Sequence, residues 1–298
     1  YCCNRHRWWQ NWITEINAGD EKKITLRKNE CVKVSTGAHL SKILDTVVMQ
    51  EDIKKLSSEI IHIPKNIKPF KNVRSKGEDI RKKNIILKKN NILRAQDIGI
   101  ISSIGRGQVK VYDRIKVGLL SNGNELINPG KTKKNNQIYD SNRFMLSSLL
   151  NTNFIKCKDY GILKDSYNLI KKKLLQVKDD CDLIIISGGA SEGSRDFLVN
   201  IIEELGKLLF SKVSIKPGRP LSLGILKNNL PILVLPGNPV ASFVTFNIFG
   251  KFLINCMMGN VDSYPRYFKV KANFNMKKKI GREEFIRGRK NIKNNHIY

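Results

Sequence analysis

Residues 182 to 205 read DLIIISGGASEGSRDFLVNIIEEL and contain three kinds of sequence in succession. The first five residues are almost all apolar, the next eight form a turn rich in glycine and serine, and the rest is amphipathic with a helical period. A strand that is apolar at successive positions is typical of a parallel sheet that is buried on both faces. This stretch therefore predicts one strand, loop and helix of an α/β sheet.

The same alternation extends in both directions, over residues 115 to 258. Continuous apolar runs predict strands at 115–120, 154–159, 182–186, 208–215, 221–226 and 232–235. Runs with apolar residues every three or four positions predict helices at 141–150, 166–177, 195–205 and from Pro239 onwards. We interpret this part as a mostly parallel sheet with helices on both faces, a three-layer αβα domain.

The first third of the chain has a different character. Short apolar runs predict strands at 24–26, 31–34, 46–49, 60–63 and 85–87. Only 94–104 has the spacing of a helix, and residues 1–12 are left unassigned as a ragged start. The predicted fold class is therefore a β-rich, all-β region followed by an α/β domain.

The chain carries 54 Lys and Arg against 26 Asp and Glu, a formal net charge of +28 over 298 residues. Such an excess would suit a nucleic acid or an anionic membrane surface. The lysines are spread along the chain and interleaved with asparagine, rather than clustered with arginine and aromatic residues. We interpret the charge as a coding bias on a solvated surface and expect no specific nucleic-acid partner.

The number and spacing of the cysteines and histidines, and the composition of the one long apolar segment, argue against a disulfide-rich, a zinc-binding and a membrane-spanning protein. Six cysteines without a Cys-x-x-Cys pair indicate a reducing compartment, and four histidines without metal-ligand spacing argue against zinc. We expect no signal peptide. The apolar segment 240–258 is interrupted by Asn247, Lys251 and Asn255, so it predicts a buried helix and no membrane partner.

Polar loops with glycine follow three of the predicted strands, at 121–125, 187–194 and 236–239. The carboxyl ends of parallel strands form the ligand-binding edge of such sheets. Glycine allows backbone N–H groups to approach a phosphate, and a following helix N-terminus adds partial positive charge. The three loops together favour a phosphate-binding site, although each alone would also be explained as an ordinary connection.

Four carboxylates lie beside these loops in the sequence, those of Glu125, Asp140, Asp165 and Asp196. Acidic side chains next to a phosphate would repel it unless a divalent cation lies between them, so we expect Mg²⁺ at this edge. Asp140 and Asp165 each precede a predicted helix, and an N-cap role explains them equally well.

The segment 215–220 holds two cations, Lys216 and Arg219, in a loop that also contains Pro217 and Pro220. Two fixed positive charges favour the binding of an oxyanion. In a chain this rich in lysine, two unrelated surface cations are the alternative explanation.

The order and spacing of these motifs resemble the MoeA-type molybdopterin molybdenumtransferases, the family that includes the E domain of gephyrin and the plant molybdenum insertase. The resemblance spans about residues 13 to 289. It is carried by STGA at 35–38, VVMQED at 47–52, NVRSKGEDI at 72–80, SNGNEL at 121–126, QIYDSNR at 137–143, SGGASEGSRD at 187–196, KPGRP at 216–220 and LPGNPVAS at 235–242. Several long strings in fixed order are more specific than a single glycine-rich turn.

The resemblance implies four structural parts. They are an all-β domain at 13–68, part of a linking domain at 69–112, an αβα domain like that of the MogA-type adenylyltransferases at 113–260, and the start of a small C-terminal β domain at 261–298. It also implies a cytoplasmic homodimer with the active site between the sheet domain of one subunit and the β-rich domain of the other. The family's Met-Asp-Gly-Tyr-Ala segment and the rest of its last domain are absent, which implies a chain truncated at both ends and leaves its own activity open.

The family's reaction takes adenylylated molybdopterin, cleaves its pyrophosphate to release AMP, and places molybdate on the dithiolene sulfurs. By resemblance, the catalytic residues are Glu125, Asp196, Asp165 and Thr36, and the Mg²⁺ ligands are Glu125, Asp140 and Asp196. The nucleotide and pterin would be bound by Ser121, Gly123, Asp140, Ser187, Gly188, Gly189, Ser191, Pro236, Gly237, Asn238 and Pro239. Molybdate would be bound by Lys216, Arg219 and Arg287, and the choice between molybdate and tungstate stays open.

Two positions depart from the family pattern, and two other functions compete with it. Arg219 stands where the family usually has Lys, which keeps the charge, and Ala190 replaces a valine. A MogA-like adenylyltransferase is one alternative, which the β-rich residues 13–112 argue against. A non-catalytic scaffold or nucleic-acid-binding protein that has kept the fold is the other, which the acids at the loops argue against.

Overall fold

The computed structural model describes residues 2–3, 9–64, 66–188, 192–260, 264–265, 267–278, 280–289 and 296–297, with the backbone alone for 2, 3, 9, 192–196, 296 and 297. The chain divides into two compact units, Tyr1–Leu87 and Lys88–Tyr298. The division falls within 69–112, the segment that the resemblance assigns to a linking domain.

The first unit is built around a five-stranded sheet. Its strands are β1 (Cys2–Cys3), β2 (Trp9–Ile16), β3 (Glu30–Val34), β4 (Lys54–Lys55) and β5 (Ile60–His62). Across the sheet the order is β1-β3-β2-β5-β4, with β2 parallel to β3 and antiparallel to β5. The strands predicted at 31–34 and 60–63 are therefore confirmed as β3 and β5.

The central strand β2 includes residues 9–12, which we left unassigned. A register shift between Trp12 and Thr14 interrupts the alternation of faces along β2, so Trp12 packs against one buried cluster and Ile16 belongs to the other. In this strand Gln10 is fully buried, while Ile13 at the shift is 44% exposed. A buried glutamine and an exposed isoleucine reverse the apolar pattern that identifies a half-buried strand. This reversal explains why the strand is not visible in the sequence.

Three of the predicted strands are wrong. Residues 24–26, 46–49 and 85–87 do not join a sheet, apart from a single bridge at Val47. Apolar side chains in the first two runs pack against the buried clusters of this unit, whereas Ile85 is 81% exposed. Short apolar runs indicate burial, and burial does not require pairing with a neighbouring strand.

The second unit supplies the remaining elements. Its helices are α1 (Ala95–Ser103), α2 (Ser141–Leu150), α3 (Tyr167–Val177), α4 (Glu192–Leu205), α5 (Pro239–Thr245) and α6 (Lys251–Met257), the last two joined by a π-helical turn, Phe246–Gly250. Its strands are β6 (Ile115–Asn122), β7 (Leu126–Ile127), β8 (Ile138–Tyr139), β9 (Ile155–Leu163), β10 (Leu183–Gly188), β11 (Gly206–Ser211), β12 (Ile215–Lys216), β13 (Ser222–Leu226), β14 (Leu230–Leu235), β15 (Lys271–Ala272), β16 (Glu283–Glu284) and β17 (His296–Ile297).

A six-stranded mixed sheet in the order β11-β13-β14-β10-β6-β9 forms the middle of this unit. The strands β14, β10, β6 and β9 are parallel neighbours, and β13 and β11 extend the sheet in antiparallel fashion. Three short pairs, β7 with β8, β12 with β16 and β15 with β17, lie outside this sheet. The predicted mostly parallel sheet is confirmed.

Helices cover both faces of the sheet, so the predicted three-layer arrangement is confirmed. Ile184 and Ile186 of β10 belong to one buried cluster, which includes residues of α3 and α4. Leu183 and Ile185 belong to the opposite cluster, which includes residues of α2 and α6. Because successive strand residues point to opposite faces, the continuous apolar run seen in the sequence serves two cores.

Residues Pro239–Met257 form a helix that is long and apolar enough to cross a membrane by length and composition. In this unit the helix packs against the sheet, with Phe246 1% and Ile254 3% exposed within one of the buried clusters. A core helix of a globular domain meets the same criteria of length and composition, and this packing is that of a core helix.

Candidate active site

The loops after β6, β10 and β14 meet at one edge of the sheet because these three strands are parallel neighbours. A cavity of about 490 Å³ opens there, within the size range of small-molecule sites. Ten of the residues predicted from the sequence line it, namely Ser121, Gly123, Glu125, Asp140, Asp165, Ser187, Gly188, Gly237, Asn238 and Pro239.

The other predicted residues lie elsewhere or outside the described part. Gly189, Ser191 and the side chain of Asp196 lie outside the described residues. Pro236 immediately precedes the lining residue Gly237 in the third loop. Lys216, Arg219 and Arg287 do not line the cavity, and Thr36 belongs to the first unit.

Two glycines permit close contacts at this edge, Gly188 between two loops and Gly123 within the first loop. Gly188 has a φ of +105°, and a Cβ at this position would lie 2.1 Å from the backbone oxygen of Asn122. At Gly123 a Cβ would lie 2.7 Å from a carboxylate oxygen of Glu125. Any larger residue at Gly188 would therefore separate the first loop from the second.

The third loop is fixed by the start of α5. Asn238 is the N-cap of this helix, and its side-chain oxygen accepts a hydrogen bond of 3.1 Å from the backbone N–H of Ala241. Pro239 follows at the first helical position, where the absence of an N–H has no cost. The sequence Asn-Pro thus sets where the loop ends and the helix begins.

Asp140 is the N-cap of α2, as the alternative explanation of this residue predicted. Its carboxylate is 1% exposed and accepts hydrogen bonds from the backbone N–H (3.1 Å) and Nε (2.8 Å) of Arg143. Arg143, itself almost buried, also donates to Asp159 and Asn128. Both oxygens of Asp140 are therefore engaged within the protein.

Asp165 is not an N-cap, since α3 is preceded by Ser166 and lacks a side-chain cap hydrogen bond. Instead its carboxylate accepts hydrogen bonds from Nδ2 of Asn122 (2.7 Å) and from the backbone N–H of Asn124 (3.4 Å). The backbone N–H of Asp165 donates to Oδ1 of Asn124 at 3.1 Å. This residue ties the loop after β6 to the loop after β9.

Asn142 of α2 joins the end of β10 to the loop after β14 and is a site residue that is not predicted from the sequence. Its Nδ2 donates to Oγ of Ser187 and to the backbone oxygen of Gly237, both at 2.8 Å. The two acceptors are 45 and 95 residues away in the sequence. An asparagine in the first turn of a helix at this edge was the available signal, but its partners were not predictable from spacing.

Three polar atoms in the walls of this cavity are buried without a hydrogen-bond partner in the described part of the chain, namely Ser121 Oγ, Asn122 Oδ1 and Asn142 Oδ1. Buried polar atoms in native proteins nearly always have a partner, from the protein or from a bound molecule. These atoms indicate that the cavity accepts a polar ligand or ordered water.

The donor set is compatible with Mg²⁺, because it consists of carboxylate, amide and hydroxyl oxygens. Glu125 is exposed to the cavity and makes no ion pair within the described residues. No group of three His, Cys, Asp or Glu side chains in the described part is arranged to hold a metal ion. Proteins usually bind Mg²⁺ through one or two carboxylates together with substrate phosphates, so the Mg²⁺ site stays a prediction.

Residues 215–220, which we call the cation loop, lie beside β16 and not in the wall of the cavity. Nζ of Lys216 lies 3.1 Å from Oε1 of Glu284, while Arg219 and Arg287 are exposed and form no ion pair among the described residues. Gly218, with a φ of +119°, is buried, and a Cβ there would lie 2.4 Å from Thr245 Cγ2. The loop is therefore packed closely against α5.

Thr36 lies in an exposed turn of the first unit. The turn is closed by a hydrogen bond from Ala38 N–H to the Ser35 backbone oxygen at 3.0 Å, and Gly37 has a φ of +86°. The Ser35 hydroxyl donates to Asn17 Oδ1 at 2.8 Å. Thr36 thus lies in a turn whose flanking residues, Ser35 and Ala38, are held by hydrogen bonds.

Two family models match the chain. Residues 4–105 match the MoeA N-terminal region (domain I and II), and residues 118–255 match a probable molybdopterin binding domain. The second match contains β6, β10 and β14 and the loops that line the cavity.

Curated relatives match most of the chain. A molybdopterin molybdenumtransferase of Haemophilus influenzae is 36% identical over 86% of this chain and 64% of the relative. A putative molybdopterin biosynthesis protein of Methanocaldococcus jannaschii is 32% identical over 91% of this chain and 67% of the relative. The chain thus spans about two thirds of the length of these curated relatives.

A solved structure agrees with these relatives. The molybdopterin biosynthesis MoeA protein of Pyrococcus horikoshii OT3 superimposes with a TM-score of 0.80 at 29% identity, over 97% of this chain and 71% of the other. A match of this extent covers both units as well as the loops at the sheet edge. Sequence, family models and fold agree, and the chain belongs to the MoeA family of molybdopterin biosynthesis proteins.

Proposed function

We propose that the full-length protein is a molybdopterin molybdenumtransferase, which cleaves the pyrophosphate of adenylylated molybdopterin, releases AMP and places molybdate on the dithiolene sulfurs. The observation that carries this proposal is the cavity at the carboxyl ends of β6, β10 and β14, lined by glycine loops and by carboxylates, in a chain of the MoeA family. The name of the Haemophilus relative, a molybdopterin molybdenumtransferase, supports the same reaction class, and the Pyrococcus structure is that of a molybdopterin biosynthesis protein.

In this proposal the glycine loops bind the phosphates and the heterocycles of the substrate. Gly188 and Gly237 line the cavity and carry no side chain, so their backbone N–H groups would be the donors to a phosphate, and α5 begins directly after the third loop. Ser121, Ser187 and Asn238 would orient the substrate by hydrogen bonds. Gly189, Ser191 and Pro236 keep their proposed binding role on the strength of the motif alone.

Glu125 is the acid that we assign to Mg²⁺, together with Asp196 on the motif alone. When bound, the cation would neutralise charge on the pyrophosphate oxygens. We leave Asp140 out of this set because Arg143 already engages both of its oxygens. Asp165, which the resemblance made catalytic, is proposed instead to position Asn122 and Asn124.

Lys216, Arg219 and Arg287 remain the proposed molybdate residues, and Thr36 the proposed contribution of the first unit. A tetrahedral dianion would interact favourably with several fixed cations. We further propose a cytoplasmic homodimer, on the resemblance to the family. Analytical ultracentrifugation of the full-length protein would test the dimer directly, since a monomer at micromolar concentration would contradict it.

The reaction is tested by incubating the full-length protein with adenylylated molybdopterin, molybdate and Mg²⁺ and following AMP by chromatography. We expect AMP release that depends on both molybdate and Mg²⁺, with formation of the molybdenum cofactor. A protein that instead consumes ATP to adenylylate molybdopterin would support the MogA-like alternative and contradict the proposal.

A further inference from the structure

Lys216 of the cation loop is paired with the carboxylate of Glu284, which lies 68 residues away in the sequence. Its strand β12 runs parallel to β16, held by hydrogen bonds from Glu283 N–H to Ser214 O (2.9 Å) and from Phe285 N–H to Lys216 O (2.8 Å). Across this pairing, Lys216 Nζ lies 3.1 Å from Glu284 Oε1. These two backbone hydrogen bonds, made by the residues before and after Glu284, hold the backbone of Glu284 next to Lys216.

Burial of the two partners is unequal. The side chain of Glu284 is 13% exposed and that of Lys216 is 60% exposed. A confined carboxylate is unfavourable without a counter-ion, whereas an exposed ammonium group keeps donors available to solvent. Lys216 can therefore bind an incoming anion on its open side while Glu284 stays beside it.

Cations outnumber carboxylates in the two segments that pair here, residues 212–219 and 282–289. Arg219 lies three residues beyond Lys216, and Arg287 lies three residues beyond Glu284 on the parallel segment. Together the two segments hold six cations and two carboxylates, those of Glu283 and Glu284. Without Glu284 the net positive charge would be higher by one, and a dianion would be held more strongly.

We propose that Glu284 is a counter-ion that lowers the affinity of the cation loop for its oxyanion, so that the anion can be given up to the acceptor. This rests on the proposed function of the loop in molybdate binding. A substrate that must be transferred gains nothing from very tight binding before the reaction, because such binding lowers KM without raising kcat. Glu284 limits that binding by repelling the anion from beside Lys216.

The test is titration of the full-length protein with molybdate by calorimetry, without turnover, for the wild type and Glu284→Gln. We expect the variant to bind molybdate on the order of tenfold more tightly, because one fixed negative charge is removed. For a monoanion such as perchlorate the gain should be only about threefold, since the repulsion scales with the charge of the ligand. In the AMP-release assay KM for molybdate should fall while kcat does not rise.

Two variants separate this role from others. Glu283→Gln changes the net charge equally, but its side chain is exposed and does not contact Lys216, so molybdate affinity should stay within about twofold of wild type. In a Lys216→Gln background, Glu284→Gln should still tighten molybdate binding by a comparable factor, because the repulsion acts between Glu284 and the anion itself. A gain that disappears in this background would contradict the repulsion and mean that Glu284 acts only through Lys216.

Weaker or unchanged molybdate binding by Glu284→Gln would overturn the proposal, and would mean that Glu284 orients the lysine instead. Glu284→Asp, which keeps the charge, should bind nearly as the wild type does and guards against a folding artefact. The titration does not need turnover, so a wild-type protein that binds molybdate in this pattern yet releases no AMP would contradict the proposed function alone. A wild type that binds no molybdate would overturn the counter-ion proposal.

Discussion

Among single residues, the acids at the cavity differ in how the protein uses them. Asp140 caps α2 and is engaged by Arg143, and Asp165 is engaged by Asn122 and Asn124. Glu125 is exposed to the cavity without an ion pair among the described residues. The sequence predicted that acids would gather at this edge, but their partners come from distant strands and were not predictable from local spacing.

The positioning role of Asp165 predicts a difference between two substitutions. Asp165→Asn keeps an oxygen that accepts from Asn122 Nδ2, so AMP release should fall by less than about tenfold. Asp165→Ala leaves Asn122 and Asn124 without their acceptor, a loss of about 1 to 3 kcal/mol that should appear mainly as a higher KM for adenylylated molybdopterin. If Asp165→Asn abolishes kcat, the carboxylate charge is required and Asp165 is catalytic.

Cys157 in β9 gives a prediction about pH. Burial, with a smaller effect of Asp159, raises the pKa of its thiol from 9.0 to about 11. The folded state therefore holds this proton more tightly than the unfolded chain, so this contribution to stability is complete below pH 9 and is lost as the pH rises toward 11. Alkylation by iodoacetamide at pH 8, followed by mass spectrometry, should be slow at Cys157 in native protein and fast in denaturant; equal rates would contradict this.

Among the elements, the strands at the centre of the second unit could be predicted, whereas in the first unit β3 and β5 could be predicted and the central strand β2 could not. Residues 183–186 serve two cores at once and are apolar throughout, whereas β2 buries a glutamine and exposes an isoleucine. The way the loops are joined, through Asn142 to Ser187 and Gly237, depends on folding of the whole sheet. Sequence patterns report burial more directly than pairing.

Gly188 at the end of β10 gives a prediction at this scale. Gly188→Ala should lower the free energy of unfolding by about 2 kcal/mol or more, because a Cβ meets the Asn122 backbone oxygen in addition to the strain of a positive φ. Gly130→Ala is the matched control, since Gly130 also has a positive φ but its Cβ would have open space. Urea denaturation should show a clearly larger decrease in the free energy of unfolding for Gly188→Ala than for Gly130→Ala. Equal decreases would mean that the loops do not require this close approach.

For the whole molecule, the charge of +28 is the property that family membership leaves unexplained. Its cations are distributed over both units, and many of them are exposed lysines. We predict only weak, non-specific binding to duplex DNA, with log affinity falling by about 0.9 per phosphate contacted as log salt rises. Fluorescence anisotropy at physiological salt would test this, and sub-micromolar, sequence-selective binding would instead support a nucleic-acid function.

The claim that the cavity edge is the active site is tested most directly by AMP release from adenylylated molybdopterin in the full-length protein carrying Glu125→Gln. Loss of one preorganised charged group at the pyrophosphate predicts a fall in kcat of about a hundred- to a thousandfold. Glu203→Gln, an equal charge change at an exposed position of α4, should leave the rate unchanged. Wild-type AMP release by Glu125→Gln, over the same range of Mg²⁺, would contradict the assignment of this edge to catalysis.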